Sequence, residues 1–355
     1  MKTKITLIFI VYLLLFAVLG MIFYRILLKN SSPGENSFSA ETVSPETKIY
    51  FSRNQIIYRL APEKAGLTAG QNLETFSQQG EVGNLTFDKN INLAAFEVKN
   101  AEGRWEIWKA NPANFEGSQI AKAGDLAGFQ DFQNPKFSPS GEKLAFIGTA
   151  TSQDKLLIYN VKTAEIKEYG GELGAKFSDY SWDKEGQRLA LCSSNLSPNA
   201  CWRLDPETQK TQKLFEENIK EVSWNYTSEI IYLTQAETPH IFRRLPEENP
   251  AQIDNLSTPK KIISFQVAPL GENIVYQVLD LASQGSDLYF SQIDSANRLQ
   301  LTREGENLQP LFSPDGSKIA FLRQKDGLYS IETDKTNLRK ILESSEAIDR
   351  LLAWR

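Results

Sequence analysis

The sequence predicts an all-β chain, a seven-bladed β-propeller closed by strands from its two ends and preceded by one transmembrane helix. Three observations carry this. A hairpin unit, clearest as FSPDGSKIAFLR (residues 312–323) and FSPSGEKLAFIG (residues 137–148), recurs along the chain. Its copies are separated by 50, 45, 42, 43 and 45 residues, the period of a four-stranded propeller blade. Residues 5–24, ITLIFIVYLLLFAVLGMIFY, carry no charge and make enough helix to cross a hydrocarbon core of about 30 Å.

The N-terminal segment, residues 1–29, reads as an uncleaved signal anchor. A cleaved signal peptide is the rival, because Lys2 and Lys4 precede the apolar run. The run is longer than a typical signal-peptide core, and no small-x-small cleavage site follows it. Arg25 and Lys29 nearly balance the charges on the other side, so the positive-inside rule leaves orientation open. The general habit of N-terminal anchors places the rest of the chain outside the cytoplasm, giving a single-pass plasma-membrane protein. Residues 30–47, rich in Ser, Pro, Glu and Thr without apolar periodicity, form a flexible tether. Residues 48–355 are the propeller.

Within the propeller a bulky apolar residue is followed nine positions later by another, across a polar turn. The pairs are Phe87/Phe96, Phe137/Phe146, Trp182/Leu191, Trp224/Leu233, Val267/Tyr276 and Phe312/Phe321. Glycine stands at the same turn position in Gly141, Gly186, Gly271 and Gly316, where a positive φ lets the chain reverse. Each hairpin is followed by a third strand-like run, such as WEIWKAN, KLLIYNV or GLYSIET, and usually by a fourth, such as EIKEY or QKLF. The runs mix alternating and continuously apolar patterns, as blades packed on both faces require. Six such units leave IYFSRNQIIYRL (residues 49–60) and DRLLAW (residues 349–354), and Trp354 lies 42 residues after Phe312. The C-terminal segment is therefore expected to supply the innermost strand of a blade whose outer strands come from residues 48–75, which hides the sheet edges. A terminal helix over residues 344–355 is the alternative, and without this closure the ring has six blades.

The stretch FSPDGSKIAF resembles the repeat of TolB-like, WD-repeat-like propellers. The resemblance spans residues 48–355, but only Phe312 to Phe321 and Phe137 to Phe146 fit closely. No glycine stands at 91 or 228, and VAPLG (residues 267–271) lacks the aromatic and the Asp. It implies the fold; TolB-type domains bind protein partners in the bacterial envelope, whereas similar propellers accompany peptidase domains or act as lyases. TolB itself usually has six blades, so its own role does not transfer.

Residues 31–355 hold 35 basic against 44 acidic residues, a net of −9, with no basic cluster. Nucleic acid and anionic lipid are poor partners for such a domain. His240 is the sole histidine, which excludes a multi-histidine metal site and leaves one candidate for a His-based triad; a structural histidine is the simpler reading. No P-loop, nucleophile elbow, dinucleotide fingerprint or calcium loop is present, and no metal or cofactor is expected. Sequons at Asn84, Asn195, Asn225 and Asn255 occur at a rate chance supplies.

Cys192 and Cys201 are the only cysteines. They fall at the end of one predicted strand and the start of the next, where an antiparallel pair faces each other. A disulfide is expected there, in keeping with an oxidising, extracytoplasmic location, and two unpaired buried thiols are the alternative.

The innermost strands of a propeller line a central channel, and the residues just before the shared aromatic belong at its mouth. These are Asn134, Asp179, Tyr180, Glu221, Gln266, Gln309 and Arg350. Their polar and charged types suit a polar peptide or protein segment, or they solvate the channel wall. Trp105 and Trp108 read first as packing between blades and, alternatively, as an exposed interface patch. Together these features predict a membrane-tethered, non-catalytic scaffold that binds another envelope protein, a peptide or a glycan. The alternative is an enzyme, polysaccharide lyase-like or peptidase-associated, that uses Asp179, Glu221 and Arg350 at the channel mouth; it requires a carboxylate with a perturbed pKa beside a partner in one pocket.

Overall fold

The computed structural model describes residues 47–355, apart from 63–72, 77–79, 89, 91, 123, 125, 127, 194–198, 226, 246–247, 296–297 and 344–347. The expected transmembrane helix and tether lie outside the described residues, and among the described residues no helix is long and apolar enough to cross a membrane. The chain from Thr47 onward forms seven antiparallel four-stranded sheets. Seven blades, rather than six, is therefore the observed count.

Blade 1 shows how the ring closes. Its innermost strand, Arg350–Trp354, pairs antiparallel with Ile49–Arg53, with Ile49 opposite Trp354 and Ser52 opposite Arg350. Ile56–Leu60 and Leu73–Phe76 complete it. Arg355 N donates to Lys48 O at 2.8 Å. The C-terminal segment is thus a strand and not the alternative helix, because Leu351, Leu352, Ala353 and Trp354 are all buried between neighbouring blades. Blades 2 to 7 follow in chain order, with innermost strands Val82–Phe87, Asp131–Phe137, Phe177–Trp182, Ile219–Trp224, Lys260–Val267 and Asn307–Phe312.

The core is seven buried clusters, each built by two adjacent blades. This is why second strands such as Leu189–Ser193 are buried at every position: each face meets a neighbour, so the period-two pattern of a half-exposed strand disappears. The turn glycines behave as expected. Gly141, Gly186, Gly271 and Gly316 have φ of 76°, 67°, 76° and 73°, and Gly316 N donates to Ser313 O at 2.8 Å. Ser228 holds the same place at φ 67°, so the degenerate copy keeps the turn without glycine.

Cys192 and Cys201 sit directly opposite one another in blade 4 and are joined by a disulfide, with Cα atoms 4.1 Å apart. The bridge is wholly buried in the cluster between blades 4 and 5.

Candidate functional site

The polar end of the channel is built by a bulge in each innermost strand. In blades 2 to 7 the pairing register slips once, at Val82/Leu85, Gln133/Lys136, Phe177/Asp179, Ile219/Glu221, Ile262/Ser264 and Leu308/Leu311. A bulge re-aims the side chain that follows it. Three residues before the shared bulky position stand Asn84, Asn134, Asp179, Glu221, Ser264 and Gln309, so six blades present a polar group at this level. Asn134 and Gln309 take left-handed backbone, with φ of 58° and 54°, a region in which asparagine is tolerated and glutamine is uncommon.

Side chains of the innermost strands link blade 4 to 5, 5 to 6, 6 to 7 and 7 to 1. Asp179 Oδ2 accepts Val222 N at 2.9 Å, Glu221 Oε2 accepts Phe265 N at 3.0 Å, Gln266 Oε1 accepts Phe312 N at 2.8 Å, and Gln309 Oε1 accepts Leu351 N at 2.7 Å. Glu97, buried in a second strand, does the same between blades 2 and 3. It accepts Asn84 N at 2.9 Å and Asn84 Nδ2 at 3.0 Å, and it also accepts Asn134 N. A Cβ on Gly83 would stand 1.9 Å from Glu97 Oε2, so only glycine admits this carboxylate.

Asp179 is the most heavily bonded of these groups. Its Oδ1 accepts Asn134 Nδ2 at 2.8 Å and Lys136 Nζ at 2.6 Å. The Lys136 ammonium also donates to Tyr180 O at 2.5 Å and lies 4.9 Å from the Tyr180 ring centroid.

A cavity of about 740 Å³ opens here. It is lined by Asn84, Glu97, Trp105, Gln133, Asn134, Lys136, Ser178, Asp179, Lys220, Glu221, Gln235 and Arg350. Four of the seven residues expected at the mouth, Asn134, Asp179, Glu221 and Arg350, therefore meet in one cavity. Three do not. Tyr180 is fully buried, with its hydroxyl 2.5 Å from Asn134 O and 2.7 Å from Ala145 O, and burial holds the phenol well above its ordinary pKa. Gln266 lies two residues further along its strand than the others and lines a separate cavity of about 430 Å³ at the opposite end of the channel, with Phe87, Leu352 and Trp354. Gln309 turns toward a small cavity of about 270 Å³ with Ile348 and Asp349.

Sequence reasoning missed Asn84, Glu97, Lys136 and Lys220. Asn84 was legible, since it stands at the shared offset from Phe87. Trp105 lines the mouth with the Lys99 Nζ 5.2 Å from its ring centroid, whereas Trp108 packs against the cluster between blades 1 and 2.

Glu221 is electrostatically distinct. Burial pushes its carboxyl up to about 7 and the Asp179 charge adds to this, against the Phe265 amide, Lys220 and Lys136, which pull it down. Lys220 Nζ lies 3.9 Å from Glu221 Oε1 and donates to Ile263 O. Arg350 is exposed and donates to Asn84 Oδ1 across a long 3.5 Å. His240 does not line the mouth cavity; its Nδ1 lies 2.9 Å from Oδ1 of the buried Asp254. Among the described residues no group of three His, Cys, Asp or Glu is arranged to hold a metal ion. Of the sequons, Asn225 is buried with its side chain bonded to Thr227 and Glu229, and Asn195 lies outside the described residues.

No protein-family model matches the sequence, and no curated protein matches it. Solved structures do. TolB from Acinetobacter baumannii superposes with a TM-score of 0.55 at 16% identity, covering 74% of this chain and 66% of that one. In fold, the chain is a TolB-like propeller. An oligogalacturonate lyase in complex with manganese matches with a TM-score of 0.58 at 11% identity over 84% of each chain. A prolyl endopeptidase matches with a TM-score of 0.59 at 12% identity, covering 83% of this chain and 50% of that one. The chain thus spans just under two thirds of TolB and half of the endopeptidase, and at these identities the likeness is one of fold.

Proposed function

We propose that this propeller is a non-catalytic binding module of the cell envelope, tethered through residues 5–24, that seats a segment of another envelope protein in the polar mouth of its channel. The observation that carries the reading is that the mouth carboxylates Glu97 and Asp179 are committed on both oxygens to bonds within or between blades. They hold the ring and fix a preformed cavity, leaving little capacity for proton transfer. A preformed polar concavity binds with small ordering cost. The uncharged run ahead of the tether and the bridge between Cys192 and Cys201 support an extracytoplasmic, membrane-attached domain.

A photo-crosslinking residue placed at Gln133 or Gln235 of the full-length protein in its native host tests this. A discrete protein adduct at both, absent with the crosslinker at Leu270, is expected. Adducts only at Leu270, or at none of the three, overturn it.

A second reading, an enzyme working at the same mouth on a polysaccharide, is favoured by Glu221, whose carboxyl near 7 suits a general acid or base. It predicts that Glu221→Gln abolishes turnover, while the binding reading predicts that the crosslinked adduct persists in this variant.

A further inference from the structure

The mouth carries charge of both signs, but the two signs are not equally available. Glu97 and Asp179 are buried and receive donors on both oxygens. The cations are more open: the side chains of Lys136 and Lys220 are 33% and 38% exposed even while Lys136 bonds Asp179 and Tyr180 O and Lys220 bonds Ile263 O, Arg350 is exposed outright, and Glu221, at 27%, is the partly open carboxylate of the lining. In a domain of net charge −9 from residue 31 onward, three cations converging on one cavity stand out. The domain's other charges act through solvent and are screened beyond about 8 Å at physiological ionic strength.

We propose, resting on the binding reading above, that the mouth takes an acidic peptide segment, its carboxylates seated among Lys136, Lys220 and Arg350. The amides of Gln133 and Gln235 around the same cavity offer both donors and acceptors to a peptide main chain, while Asn84 and Asn134 spend their amide nitrogens on Glu97 and Asp179. An acidic saccharide fits less well. The only aromatic ring lining the cavity is Trp105, and the Lys99 ammonium sits over it, so a sugar lacks an open stacking platform.

Glu221 makes the affinity pH-dependent. The charged groups facing it are Asp179 from blade 4, Lys136 from blade 3 and Lys220 on its own strand, and blade 6 offers it the Phe265 amide. An anion in the cavity favours the protonated, neutral Glu221. Affinity therefore rises as pH falls through the range where this carboxyl takes up its proton, while the ligand's own carboxylates, ordinarily near 4, stay ionised. A ligand that selects the protonated form gains up to about tenfold between pH 8 and pH 6.

The test is fluorescence anisotropy of the detergent-solubilised full chain with labelled hexaglutamate, against hexalysine and oligogalacturonate. Expected are binding of hexaglutamate only, a loss of about tenfold or more in Arg350→Ala, whose exposed side chain leaves the ring intact, a further loss with Lys220→Met, and a pH term that vanishes in Glu221→Gln. Hexaglutamate binding that Arg350→Ala leaves unchanged overturns the proposal, as does tighter binding of hexalysine or oligogalacturonate. In those cases the mouth adducts from Gln133 and Gln235 still stand, so the binding reading survives; if the adducts fail as well, both fall.

Discussion

The two sides of the channel do the same structural work with different chemistry. From blade 2 to blade 6 the acceptors that clasp the next blade's backbone include three carboxylates, Glu97, Asp179 and Glu221; from blade 6 round to blade 1 they are the neutral amides of Gln266 and Gln309. All four bonds are of ordinary length, 2.9 and 3.0 Å to Asp179 and Glu221 and 2.8 and 2.7 Å to Gln266 and Gln309, so the amides hold the neighbouring backbone at least as closely as the carboxylates. Clasping blades therefore needs an acceptor and not a charge. The charge on one side, with Lys136, Lys220 and Arg350 beside it, is not required by the clasp, and the proposed ligand site draws on it.

The comparison breaks most visibly at Asp179. Asp179→Ala removes the partner of Val222 N, Asn134 Nδ2 and Lys136 Nζ at once. Losing one member of a largely buried ion pair with its hydrogen bonds costs about 3 kcal/mol, and thermal denaturation should show the largest fall in Tm of any single mouth variant. A change no greater than that of a surface substitution would mean that the carboxylate is not the clasp.

Glu221 gives the next largest effect, with a pH signature. Its folded carboxyl titrates near 7 against an ordinary 4.5, so between these values the folded chain holds a proton that the unfolded chain has released. Stability from this group is present below about 4.5 and is lost as pH rises through about 7. Glu221→Gln keeps the acceptor for Phe265 N while removing the buried charge. The variant should match the parent at pH 4.5 and exceed it at pH 8 by no more than ~2 kcal/mol, since the side chain is partly open to solvent. Parallel pH profiles for the two proteins would sink this.

How much of this was legible beforehand depends on which strand a residue came from. The blade period, the closing strand around Trp354 and the facing cysteines were readable because they depend on spacing, and spacing survives in the sequence. The polar residues three before the aromatic were readable for the same reason, Asn84 included. Glu97 was not, because it sits in AAFEVK, a second strand otherwise apolar, and its reach to Asn134 exists only once blades 2 and 3 are packed. Lys136 and Lys220 were missed because they flank the bulges, and a bulge changes which side chain faces the channel. Gln266 misled for the related reason that position along the strand, and not polarity, decides which end of the channel a residue reaches.

On the neutral side the effects shrink. Gln309→Ala deletes the acceptor for Leu351 N and should cost about 1 kcal/mol, a modest loss read in the same denaturation series.

Gln266→Glu is the mildest change and the sharpest statement of the comparison. The side chain keeps its length and an oxygen for Phe312 N, so the bond between blades 6 and 7 persists. The new charge lies at the end of the channel away from the mouth, in a different cavity from Lys136, Lys220 and Arg350. Stability should move by less than about 0.5 kcal/mol at pH 8, and hexaglutamate affinity at the mouth should be unchanged. A loss as large as that of Asp179→Ala would mean that the ring distinguishes a charged clasp from a neutral one. In that case the carboxylates on the other side are held by the demands of folding, and their charge carries no separate information about a ligand.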